Sequence, residues 1–291
     1  MTHRLPVVAA ALAAACASGG RGVTSQPPPG PGPYASTEHP GPTSVDAIRY
    51  GPSAVRYVVH RQLHIQQALG GQTQAQDVGA RIFLAVAMTG PADSLGYPTI
   101  FSVDSIVGDS GTPQPVVDNV VKVRRLMFTG RVAPRGEFVR ATPSDSALAQ
   151  SVVQLLGNFR DFLPRLPADG VKPGAAWTDT VETTQKGSGS EISRRSIIQA
   201  RAGGWEDHGG VKSIRLENSQ TYRVAGSGKN AGQPFDLSGA GAGTGTAFIA
   251  VDGRYLGGEA RDSTALTIRL PVQGVAVPVI QVTRTTVTVL R

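Results

Sequence analysis

The sequence predicts an α+β protein that is mostly antiparallel β: one curved sheet, closing toward a half-barrel or β-roll, with two amphipathic helices against its concave side. Three observations predict it. Long period-two runs of apolar and polar residues recur from residue 54 onward. Glycine-containing turn signals separate these runs. Only two stretches, around 115–127 and 142–163, replace period two with helical spacing. Strands do not alternate with helices, which excludes a doubly wound dinucleotide-binding fold. Antiparallel strands of this length curl rather than lie flat.

The chain divides into three parts: a signal peptide over 1–15, a Pro/Gly-rich linker over 16–52, and a single sheet domain over 53–291. Thr2-His3-Arg4 forms a short positive n-region, and residues 5–15 an apolar h-region too short to span a bilayer. It ends Leu12-Ala13-Ala14-Ala15-Cys16, at the only cysteine in the chain. This segment resembles the lipobox of bacterial lipoproteins. The resemblance implies cleavage before Cys16 and a diacylglycerol on its sulfur, so that the membrane is a partner through this anchor. Ala17, where an Asp would signal retention, implies sorting to the outer membrane, on either its periplasmic or its surface face. The same Ala-Ala-Ala also suits an ordinary signal peptidase, which would release a soluble protein. Between 17 and 52 the prolines of Pro27-Pro28-Pro29-Gly30-Pro31 and Pro40-Gly41-Pro42 give a linker with a coil reach of about 30–35 Å.

The body opens on a strand over 54–69. Tyr57, Val59, Leu63, Ile65 and Leu69 share one face, and Arg56, His60, Gln62, His64 and Gln66 the other. Gly70-Gly71 turns it into a second strand over 74–88, and a third follows over 99–107. Val116, Val117, Val120, Val121 and Met127 then fall at helical spacing, with Pro115 in the first turn. A short hairpin turns at Pro134-Arg135-Gly136. The strongest helix comes next, with Thr142 as cap, Pro143 at the first position and Asp145 completing a capping pattern. Its stripe of Leu148, Val152, Leu155, Leu156, Phe159, Phe162 and Leu163 needs an apolar partner, and Pro164 ends it. After Pro167 the chain reads as a meander over 176–185, 191–202, 211–225, 243–251, 254–270 and 277–290. Its turns fall at Gly187-Ser188-Gly189, Gly203-Gly204, Gly209-Gly210 and Asp252-Gly253.

Composition narrows the functional classes. Hydrophobic residues at 40% are enough for a packed core. One cysteine excludes an internal disulfide framework and any multi-thiolate metal site. The formal charge of +7 is scattered, with only Arg124-Arg125 and Arg194-Arg195 adjacent, so nucleic acid is not an expected partner. His60 and His64 lie about 13 Å apart on a strand at about 3.3 Å per residue, too far to share an ion. Neither a metal nor a cofactor is expected. Glu206-Asp207-His208 reads as turn chemistry. Gly108-Asp109-Ser110-Gly111 echoes a protease nucleophile segment, without the rest of that machinery. The Gly226-Ser227-Gly228-Lys229 run and the alternating Gly239, Gly241, Gly243 and Gly245 lack the following helix that a phosphate loop needs. Alternate glycines on one strand face instead permit close packing.

With its helix, the Val171-Lys172-Pro173-Gly174-Ala175-Ala176-Trp177 segment and the Gly-rich strand before Val251-Asp252-Gly253, the body resembles uncharacterised bacterial envelope lipoproteins. It is more distantly similar to the curved-sheet lipoproteins of the LolA/LolB and LppX type. The resemblance implies a cavity that shields acyl chains. The expected function is therefore a non-catalytic envelope lipoprotein that binds or carries an apolar, lipid-like ligand. Leu148, Val152, Leu155, Leu156, Phe159 and Phe162 are the expected cavity lining. The alternative is a structural or protein-interaction module with a solid interior and a partner that the sequence does not name.

Overall fold

A computed structural model of the protein describes residues 47–69, 71–114, 118, 123–149, 159–187, 189–230 and 232–290. The expected leader, Cys16 and nearly all of the expected linker lie outside the described residues. So do Val152, Leu155 and Leu156 of the helical stripe.

Eleven strands form one antiparallel sheet. They are β1 (Ser53–Leu69), β2 (Gln72–Met88), β3 (Tyr97–Gly108), β4 (Met127–Val132), β5 (Phe138–Pro143) and β6 (Ala176–Gly187). The rest are β7 (Ser190–His208), β8 (Val211–Asn230), β9 (Gln233–Ala250), β10 (Tyr255–Leu270) and β11 (Val275–Leu290). The spatial order is β5-β4-β3-β2-β1-β11-β10-β9-β8-β7-β6. The chain thus starts mid-sheet, walks to one edge, crosses to the opposite edge and meanders back. The sheet is joined at its centre by β1 and β11, in register from Arg56↔Leu290 to Gln67↔Val279. The sheet is open and curved. Bulges at Phe83/Leu84, Ala202/Trp205 and Tyr255/Gly258 add local twist.

Several expectations are corrected. Gly203-Gly204 makes no turn; β7 runs through it to His208, and the pair forms the bulge opposite β8. Glycine without a side chain serves a bulge as readily as a turn. β9 begins at Gln233, well before residue 243. Thr142 and Pro143 do not open a helix: they finish β5, pairing with Thr129 and Phe128. Asp145 is the cap instead, its Oδ1 accepting the Leu148 N–H at 2.9 Å. Met127 opens β4 and belongs to no helical stripe. Most of the two expected amphipathic helices, residues 115–117, 119–122 and 150–158, lies outside the described residues; what is described of them is helical at Gln114, Asp118 and 146–149 and 3₁₀ at Val123 and Phe159–Asp161. The body also begins before residue 53. Ile48 exchanges 2.9 Å backbone hydrogen bonds with Val171, and Tyr50 is buried with its hydroxyl donating to the Pro164 carbonyl.

The strands bury one face, and its apolar residues gather into two clusters. The larger contains Tyr57, Leu84, Phe101, Phe138, Leu166 and Ile214. The smaller contains Ile65, Val224, Phe235, Leu237, Leu266 and Val279. The crossing segment over 159–167 packs on the larger one. Phe162 sits edge-on to Tyr57, Phe101 and Tyr255 at centroid distances of 5.3, 5.5 and 5.7 Å.

The same segment ties the two sheet edges together. Arg165 Nη1 reaches Glu137, in the β4–β5 turn, at 2.8 Å and Asp179 of β6 at 3.1 Å, while Nη2 reaches Asp161 at 3.3 Å. Arg135 Nη2 adds a second link to Asp179 at 2.8 Å, and the Leu166 N–H donates to the Arg135 carbonyl at 3.0 Å. Burial alone would lower the Arg165 pKa, but Asp161, Glu137 and Asp179 outweigh it and hold the guanidinium above its ordinary value.

Candidate functional site

Strand parity builds the site. On β1 the odd-numbered residues face inward, so Tyr57, Val59, Leu63 and Ile65 share their face with Arg61. Register carries that face across the sheet. Leu63 pairs with Thr283, which pairs with Asp262; Asp262 pairs with Gly243, and Gly243 with Gln220. The neighbouring inward row brings Thr264, Gly241, Tyr222 and Ser196 side by side. A polar belt therefore crosses the interior between the two apolar clusters.

Most of the belt is internally satisfied. The Tyr222 hydroxyl donates to Asp262 and touches the Thr264 hydroxyl. Gln220 Nε2 donates to Asp262 Oδ2 at 3.1 Å, and Thr264 Oγ1 to Asp262 Oδ1 at 3.2 Å. Burial, and then the Asp262 carboxylate, raise the Tyr222 pKa, so the phenol remains a donor at neutral pH. Arg194 donates to Ser196 Oγ at 3.1 Å and lies 3.7 Å over the Tyr222 ring. Gly241 makes room for this arrangement, since a Cβ there would overlap the Tyr222 ring and hydroxyl. The alternating glycines of β9 thus permit the close packing that the sequence implied. Gly241→Val is expected to lower stability by about 2 kcal/mol by overpacking, seen as a lower urea midpoint with an unchanged m-value.

Arg61 is the exception. Its buried Nε has no hydrogen-bond partner among the described residues. Burial depresses its pKa, and the charge of Asp262 opposes that shift without a direct ion pair. Trp177 Nε1 is a second buried donor with no hydrogen-bond partner among the described residues. Both residues line one cavity of about 440 Å³, between the crossing segment and the inner sheet face. Its apolar wall includes Phe159, Phe162, Leu163, Leu216 and Val287. The volume lies within the roughly 300–1,000 Å³ of small-molecule sites.

Of the expected lining residues, Phe159 and Phe162 line this cavity. Leu148 packs against the larger apolar cluster, while Val152, Leu155 and Leu156 lie outside the described residues. Arg61, Asp262 and Tyr222 did not stand out from the sequence, and Trp177 did so only as the end of the Val171–Trp177 segment, without a role in a site. The available signal was a charge at position 61, an inward position between Val59 and Leu63.

The opposite face of the sheet carries a depression of about 740 Å³ lined by His60, His64, Arg81, Asp109, Arg261 and Arg284. Here His60 Nε2 meets Asp109 Oδ2 at 2.7 Å, and His64 Nδ1 meets Asp77 Oδ1 at 2.8 Å. The histidines do not converge, and among the described residues no group of three or more His, Cys, Asp or Glu could hold a metal. The contact explains the Gly-Asp-Ser-Gly segment in structural terms. Asp109 lies over Gly79, where a Cβ would collide with its carboxylate, and Thr112 bonds the Gly79 backbone in both directions. Ser110 lines the depression as well. This outer depression is the larger one, but its charged side chains are largely solvated. The interior cavity combines an apolar wall with unsatisfied buried donors, and it is the stronger ligand site.

No protein-family model matches the chain, and no curated protein matches it.

Proposed function

We propose that the protein is a non-catalytic lipoprotein of the bacterial cell envelope that binds or carries an apolar, lipid-like ligand inside its curved sheet. In this reading Cys16 carries the lipid anchor, the linker holds the body off the outer membrane, and the interior takes up the ligand. One observation carries it: the cavity of about 440 Å³ lies where Phe159 and Phe162 face the sheet. A solid interaction module would be packed to native density there.

The test is uptake of a dansylated fatty acid by the full-length chain carrying Cys16→Ser, purified without detergent. Saturable binding with one site per chain, competed by unlabelled laurate, is the expected result. Failure of a folded sample to bind it would leave the interaction module as the better reading.

A further inference from the structure

We infer that the ligand is a single-chain amphiphile with an anionic head, and that Arg61 receives that head while Trp177 supplies a second donor. This rests on the cavity being the binding site. Among the described residues, the two buried groups in its wall without a hydrogen-bond partner, Arg61 Nε and Trp177 Nε1, are both N–H donors. Although hydroxyls, amides and carboxylates also line the cavity, none accepts from either of these two donors. An apolar ligand alone would leave both groups unsatisfied, and the buried guanidinium, which Asp262 influences without a direct ion pair, is the costlier of the two.

The charges around Arg61 point the same way. Asp262, the carboxylate of the belt, is engaged by the neutral donors Tyr222, Thr264 and Gln220 and makes no direct ion pair with Arg61. Arg194 is a second cation in the cavity wall, occupied by Ser196 and the Tyr222 ring. Glu259 lines the cavity but is exposed, and Asp161 and Arg165 stand together in the same wall as the Phe159–Leu163 segment. Arg61 and Arg194 against Asp262 leave the inward belt one positive charge in excess. A carboxylate or a phosphate monoester would balance it and accept charge-assisted hydrogen bonds from the guanidinium. Val59, two residues from Arg61 on the same face, begins the apolar surface that continues to Phe162, which gives the chain of the amphiphile its direction.

Competition against the dansylated fatty acid, with the full-length Cys16→Ser chain, separates head from tail. Laurate, dodecyl phosphate and dodecanol share one tail. Wild type is expected to bind the better of the two anions about 10–100-fold more tightly than dodecanol. The ranking of laurate against dodecyl phosphate identifies the head. Arg61→Met should erase the difference while leaving dodecanol affinity within about threefold, and Arg61→Lys should restore part of it. Trp177→Phe, which keeps the ring but loses the donor, should weaken the anion about 2–10-fold. Equal affinity for anion and alcohol, unchanged in Arg61→Met, would overturn the head-group assignment and leave the cavity reading intact. Absence of binding by any of the three to folded wild type would instead overturn the cavity reading itself.

Discussion

Arg165→Met is expected to lower the stability of the folded chain by about 3 kcal/mol, as removing one partner of a buried ion pair does. The reason is topological as well as electrostatic. β5 and β6 are the two edges of an open sheet, and no strand pairing joins them among the described residues. Arg165 spans that gap, with Glu137 on one side and Asp179 on the other, and its side chain is only 11% exposed. Removing it leaves Glu137 and Asp179 close together with Arg135 as the remaining cation. Urea titration of Arg165→Met, Asp179→Asn and the double variant measures this directly. A coupling energy of about 1–3 kcal/mol between the two positions is expected. Additive losses would mean that the clasp is an incidental surface pair.

The second large effect is expected at Phe162. Phe162→Ala removes a ring packed against Tyr57, Phe101 and Tyr255 and should cost about 3–4 kcal/mol. Phe162 also faces the cavity, so the variant joins the vacated space to it. Ligand selectivity should shift toward longer or bulkier chains at temperatures where the variant remains folded. Competition with laurate and palmitate, run alongside urea titration, reads both consequences. A stability loss without any change in the laurate-to-palmitate ratio would place the ligand away from this ring.

The strand pattern was legible because alternation is a local property. β1 and β2 lie within two residues of their expected bounds, and the Asp252-Gly253 turn falls between β9 and β10. Gly253 has a φ of 84°, and a Cβ there would strike the Arg49 carbonyl, which explains the strength of that turn signal. What was not legible depends on register between distant strands. Nothing local announces that Asp262 will lie beside Gln220 and Tyr222, or that His60 will meet Asp109 across 49 residues. Arg61 was hidden differently: Tyr57, Val59, Leu63 and Ile65 define the apolar face of β1 by themselves, and a single charge among them does not break the alternation. The helix start failed because Thr142 and Asp145 are both competent caps, and pairing of Thr142 with β4 decided between them.

The cavity itself remains the central claim, and native mass spectrometry of the full-length Cys16→Ser chain, exported and purified without detergent, tests it most directly. The spectrum should show the polypeptide with one acyl-chain-sized adduct, or one equivalent of laurate taken up on addition, released on denaturation. A folded chain at its sequence mass that takes up no laurate, dodecyl phosphate or phospholipid in excess would contradict it.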